Sequence, residues 1–203
     1  MNANEVIRKR FMIRNDDIPP YFSWLPGGAT RHHLAELFFE LGYTKGAEIG
    51  VYVGRYSQEL LDCNPNLELL CIDGWPVYQG VSERVQGIYY ERCVRRLTPY
   101  GDRAKIIKML SKEALNHVPD NSLDFVYIDS DHCFDHVMTD IIEWSKKVRI
   151  GGIVAGHDYC NVHRGGVITA VNAYVQAHEI HKWYTTKSPN ELDPSWFWVR
   201  EQL

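Results

Sequence analysis

The chain has 203 residues, 45% of them apolar and 24% charged, with a formal net charge of −4. That profile is of one soluble globular domain large enough for a real core. It argues against a general nucleic-acid binder and a polybasic membrane anchor, and no apolar run reaches the length of a membrane span. Residues 1–17 are polar and charged, without the apolar core of a signal peptide. The five cysteines, Cys63, Cys71, Cys93, Cys133 and Cys160, are odd in number and form no Cys-x-x-Cys pair. They suit free thiols in a reducing compartment, so the expected location is the cytoplasm.

In chain order, residues 1–30 carry two clusters of breakers, Ile18-Pro19-Pro20 and Pro26-Gly27-Gly28. They read as an arm or lid outside the core, with Tyr21, Phe22, Trp24 and Leu25 free to lie on the body or on a substrate. Residues 31–203 read as a single domain. His33–Leu41 is a predicted helix, with Leu34, Leu37, Phe38 and Leu41 at helical spacing and Gly42 as its stop. From there strands and helices alternate. Predicted strands are Gly46–Val51, Leu67–Asp73, Ala104–Met109, Leu123–Asp129 and Gly151–Asp158. Predicted helices are Arg55–Asp62, Val81–Leu97, Ser111–Asn116, Phe134–Val148 and Val167–His178. His181–Lys187 and Trp196–Arg200 are two closing strands with no helix between them. The expected fold is α/β, doubly wound: a mostly parallel seven-stranded sheet with an antiparallel pair at one edge.

The first of these strands runs into Gly50-Val51-Tyr52-Val53-Gly54 and then a helix, an arrangement that brings backbone N–H groups and a helix N-terminus up to a ligand. The spacing is neither the dinucleotide fingerprint nor the phosphate-binding loop, so a smaller nucleotide-like cofactor is expected. Ligands of open parallel sheets sit at the carboxyl ends of the strands. There this chain places Asp73, then Met109-Leu110-Ser111, then Asp129-Ser130-Asp131-His132, then His157-Asp158. Asp73, about twenty residues after the glycine turn, is placed to accept hydrogen bonds from ribose hydroxyls; the plainer reading is a cap on the turn at Gly74-Trp75-Pro76. Asp129, His157 and Asp158 form a candidate set of metal ligands, unless the carboxylates only orient loops. His132 is a candidate general base with a pKa near neutrality. Tyr159, His163 and Arg164 could line a substrate pocket. Trp75, Tyr78, Tyr89 and Tyr90 could cover an adenine or an acceptor ring, or pack in the core; Trp144, Trp183, Trp196 and Trp198 read as core.

Taken together, these residues resemble a class I S-adenosylmethionine-dependent methyltransferase. The resemblance covers residues 47–199. It implies that Glu48, Gly50, Val51 and Gly54 flank the methionine part of the cofactor, Asp73 and Gly74 its ribose, and Leu110 and Ser111 its adenine, with Asp129 also in contact. A narrower resemblance rests on Tyr127-Ile128-Asp129-Ser130-Asp131-His132, on Gly151 through Tyr159, and on Gly165-Gly166-Val167 with Ala170-Val171. It is to small-molecule O-methyltransferases, akin to macrolide-sugar O-methyltransferases and cephalosporin-hydroxylase-type proteins. Metal-using members of that group hold a divalent ion, Mg²⁺ or Mn²⁺, at the positions of Asp129, His157 and Asp158, with a base at the position of His132. The first residue of the adjacent pair is usually acidic and is His157 here, which lowers the negative charge of the set.

The function expected is therefore methyl transfer from S-adenosylmethionine to a hydroxyl of a small sugar, phenolic or natural-product acceptor, with Asp129 and His132 at the reaction. The partner is a small molecule, with a homodimer as an option, and neither nucleic acid nor membrane. Two alternatives stay open. A metal-dependent hydrolase would use the acids and histidines but leave the glycine turn and Asp73 idle, and a non-catalytic module would keep only the cofactor site.

Overall fold

Among the described residues, eight strands form one sheet in the order β1-β7-β8-β6-β5-β2-β3-β4. The computed structural model describes the chain except residues 1, 15–16, 24, 78–79, 162–164, 190–192 and 203. The central strands are β2 (Lys45–Ile49), β3 (Glu68–Asp73), β4 (Ala104–Lys108), β5 (Leu123–Ile128) and β6 (Val148–Gly156), all parallel. At the far side β8 (Trp196–Val199) runs antiparallel to both β6 and β7 (Trp183–Thr185). The seven expected strands are all present. An eighth, the two-residue β1 (Tyr21–Phe22), adds in parallel to β7 at the edge.

Apolar residues fill both faces of the central strands, as a doubly covered parallel sheet requires. In β5 the alternation is direct: Phe125 and Tyr127 join one core, Val126 and Ile128 the other. The first core is closed by α1 (Ala3–Arg10), α2 (Arg31–Glu40), α3 (Arg55–Cys63) and α4 (Glu83–Leu97). The second is closed by the short α5 (Ser111–Ala114), α6 (Phe134–Lys147) and α7 (Gly166–Ala177). Trp144, Trp183, Trp196 and Trp198 are buried in that second core, as expected.

The N-terminal segment departs from the arm expected of it. Asn2 caps α1 with a reciprocal box, its side-chain oxygen accepting from the Glu5 N–H at 2.9 Å while Glu5 accepts from the Asn2 N–H at 3.0 Å. The helix then buries Val6 and Ile7, and Phe11 follows against the Phe197 ring at 5.6 Å. Tyr21 lies against Tyr184 at 5.5 Å. Prolines and glycines mark bends in this segment; between them Tyr21 and Leu25 are partly buried against the core, while Phe22 is 42% exposed. Trp24 lies outside the described residues. None of the five cysteines is in a disulfide, and among the described residues no helix is long and apolar enough to cross a membrane.

Candidate active site

From β2 the chain winds outward through β3 to β4, then returns to β5 on the other side of β2. The reversal opens a crevice between the carboxyl ends of β2 and β5, the place where open α/β sheets bind ligands. Gly50 stands at its floor with φ +90°, and a Cβ there would collide with the Asp129 carbonyl oxygen. The two strand ends are also tied by the Asp129 N–H donating to the Ile49 carbonyl at 2.7 Å. Gly54, at φ +73°, is the N-cap of α3. Val51 and Val53 turn into the protein, while Tyr52, at φ +53°, is 54% exposed.

Glu48 is buried, and the Ser57 hydroxyl donates to its carboxylate. Burial pushes this carboxyl up to about 8, against the Ser57 hydrogen bond. It ties β2 to α3 beneath the turn. Asp73 closes β3, and each of its oxygens accepts one backbone N–H, from Tyr52 at 2.8 Å and Trp75 at 2.7 Å. Each oxygen has a second lone pair, so the turn-capping role does not exclude a ligand role. Trp75 is a core residue, its indole N–H donating to the Tyr52 carbonyl at 2.8 Å and its ring against Tyr90 at 4.8 Å. Tyr78 lies outside the described residues.

Beyond Asp73, Leu110 is 48% exposed at the end of β4. It folds over Gly74, where a Cβ would lie 2.6 Å from a Leu110 methyl. Ser111 is held from two sides, donating to Asp140 and accepting from the Trp144 indole N–H at 2.8 Å. The other Asp140 oxygen accepts from the Ser130 hydroxyl at 2.7 Å. Asp140, buried in α6 and with its carboxyl raised by burial, thus locks the loops after β4 and β5 together.

The charged cluster lies past β5. His132 Nε2 is 2.7 Å from Asp158 Oδ2 and 3.9 Å from Asp129 Oδ1. His157 Nδ1 is 3.1 Å from Asp158 Oδ1 and 3.9 Å from Asp129 Oδ2. Asp129 and Asp158 hold the proton on His132 so firmly that its pKa rises to about 10, well away from the near-neutral base expected of it. Burial pulls His157 down, but Asp158 and Asp129 outweigh it and the net shift is upward. Burial pushes Asp158 up, and the two imidazoles overcome that and hold it below the usual carboxylate range.

Among the described residues, Asp129, His132 and Asp158 each bring one ligand atom within 4.8 Å of the others. Two carboxylates and an imidazole are donors that a divalent ion of the Mn²⁺ type accepts. The expected third ligand, His157, lies beside this group; its Nε2 is buried without a hydrogen-bond partner among the described residues. Asp131 faces elsewhere, accepting from the Cys133 N–H at 2.6 Å at the start of α6 and pairing with His136. Tyr159 is tied to α7 through Asn172 at 2.8 Å. His163 and Arg164 lie outside the described residues.

A family described as a methyltransferase domain matches residues 47–159, more than half the chain and every strand end of the crevice. The chain belongs to this family. The methyltransferase also shares its fold with solved structures. The cofactor-bound Rv0187 from MTB aligns at 15% identity with a TM-score of 0.63, over 98% of this chain and 88% of that one. An O-methyltransferase from Bacillus cereus in complex with SAH aligns at 14% identity and 0.62, over 98% and 90%. Spermidine synthase from Thermotoga maritima aligns at 15% identity and 0.61, over 84% and 59%. No curated protein sequence matches the chain.

Two residues beside the candidate site were not singled out from sequence. Asp140 had a readable signal, an acid set among Val137, Ile141 and Trp144 on the apolar face of α6. Arg31 had none: it precedes the predicted helix and the matched segment, and only folding places its guanidinium 4.0 Å from Asp129 Oδ2.

Proposed function

We propose that this methyltransferase takes its methyl group from S-adenosylmethionine and delivers it to an oxygen of a small hydroxylated acceptor, of the sugar, phenolic or natural-product kind. One observation carries the reading: Asp73, the collision-tight Gly50 and Asp129 stand in a row at the ends of three adjacent strands, inside the family-matched segment. The residues fit the cofactor. Asp73 has lone pairs for ribose hydroxyls, exposed Leu110 offers an apolar surface for a base, and bare backbone at Gly50 admits close approach. When bound, the cofactor supplies a methyl group already activated on a sulfonium, so the protein's work is alignment and acceptance of the acceptor's proton. His132, between two carboxylates, is placed for that proton, and because they raise its pKa to about 10 it must first release the proton it holds. Asp129 and Asp158, with His132 or His157, would hold Mg²⁺ or Mn²⁺, which lowers the pKa of a coordinated hydroxyl.

The test is calorimetric titration with S-adenosylhomocysteine. Gly50→Val should abolish binding because the floor is occupied, and Asp73→Ala should weaken it about 10- to 100-fold through lost charge-assisted hydrogen bonds. Undiminished binding in both variants overturns the cofactor reading. Turnover unaffected by EDTA removes the metal, and carbon NMR of a labelled transferred methyl shows whether it rests on oxygen.

A further inference from the structure

The rim of the glycine turn that faces α3 and α4 gathers arginines and tyrosine rings. Tyr52 is exposed there, its ring against Tyr89 of α4 at 4.5 Å. Arg55, the first residue of α3, is exposed, and so is Arg92, one turn of α4 beyond Tyr89. Contact with Tyr89, and then burial, raise the Tyr52 hydroxyl; Arg92 and Arg55 act against them, so both guanidinium groups stand near it. A further turn along α4, Arg96 donates to the Val53 carbonyl. The helix is seated on the turn itself, since a Cβ at Gly54 would lie 3.3 Å from both Cys93 Sγ and Leu97 Cγ. Among the described residues, none of Arg55, Arg92 and Arg96 pairs with a carboxylate.

A guanidinium fork matches the oxygens of a phosphate in a bidentate pair, and a tyrosine ring offers a face on which any nucleobase stacks. The whole chain carries −4, so its long-range field disfavours an extended polyanion such as a nucleic acid. Three guanidinium groups around one turn suit a compact anion instead. S-adenosylmethionine has no phosphate, so such an anion belongs to a second ligand. Resting on the small-acceptor reading above, we propose that Arg55, Arg92 and Arg96, with the rings of Tyr52 and Tyr89, bind the diphosphate and base of an acceptor sugar carried on a nucleoside diphosphate. The placement along the sheet agrees. The turn follows β2, and β2 pairs directly with β5, so the turn and Asp129 leave the sheet one strand spacing apart, about 5 Å. Phosphates on the rim of the turn leave the sugar hydroxyl within reach of the Asp129–His132 cluster.

The experiment is calorimetry on the protein saturated with S-adenosylhomocysteine, with uridine diphosphate as the probe and inorganic diphosphate and uridine as its two halves. The wild type should bind uridine diphosphate, and each half at least about 10-fold more weakly. Arg92→Met and Arg55→Met should each weaken uridine diphosphate at least about 10-fold, the loss of a charge-assisted hydrogen bond. Arg92→Lys keeps the charge without the fork and should fall between. Tyr89→Leu should weaken uridine diphosphate and leave inorganic diphosphate unchanged. S-adenosylhomocysteine affinity should stay the same in every variant, which separates a lost anion site from a misfolded chain. Three results each overturn the proposal and leave the cofactor reading intact: no binding of uridine diphosphate to the saturated protein, equal binding in the wild type and both methionine variants, or displacement of uridine diphosphate by S-adenosylhomocysteine. A wild type that binds no S-adenosylhomocysteine overturns the cofactor reading, and the same variants are then compared on the unliganded protein.

Discussion

Burial of Glu48 beneath the glycine turn keeps its carboxyl protonated to about pH 8, against an ordinary value of 4.5. The folded chain therefore holds a proton across that window that the unfolded chain has released. Stability falls as pH rises from 4.5 toward 8, the reverse of a salt-bridged carboxylate. Glu48→Gln keeps an acceptor for Ser57 and removes the titration. The variant should be more stable than wild type at pH 8–9, on the order of a few kcal/mol, with the gap closing toward pH 4.5. Denaturant unfolding at several pH values checks this; parallel pH profiles would refute it. The sequence placed Glu48 in the cofactor motif. It could not say that the side chain points inward, because in a strand only the partner layers decide which face is buried.

At the level of elements, the loops after β5 and β6 are clamped by the start of α7. Gly165 takes φ +70° as the N-cap of α7. At Gly166 a Cβ would collide with the His132 carbonyl oxygen. This close approach sets the backbone that carries His132. Gly166→Ala should push α7 off the loop, with a loss of about 1–3 kcal/mol from overpacking. Cofactor affinity should change less, since Asp73 is two strands from β5 and Gly50 lies on the neighbouring β2, while methyl-transfer rate drops at least about 10-fold through a displaced His132. A thermal melt, a cofactor titration and a single-turnover assay separate these effects; an unchanged rate would show that the clamp is not needed.

At the level of the molecule, Val6, Ile7, Phe11 and Ile13 belong to the main core. Ile7 has no exposed surface and shares its cluster with Phe38, Phe125 and Tyr184. Ile7→Ala should cost about 2–5 kcal/mol, as buried large-to-small changes do, read as a lower denaturant midpoint at constant slope. A surface arm would lose no more than about 0.5 kcal/mol.

Local signals sufficed for much of this protein. Alternating apolar runs, helix stops and glycine-marked turns announced the parallel sheet and the antiparallel edge pair. Strand-end acids announced where a ligand would lie, because in a parallel sheet every strand end falls on one edge. Motif spacing announced Gly50, Asp73 and Asp129 for the same reason. Tertiary structure decided what depends on approach between distant segments. It carried the N-terminal helix into the core, where the breakers at residues 18–20 and 26–28 had suggested an arm. It set His132 between Asp129 and Asp158, whose carboxylates raise its pKa above the near-neutral value expected from sequence, since a pKa is fixed by neighbours in space and not in sequence. It brought Arg31 and Asp140, from two different helices, to the crevice that the central strands define.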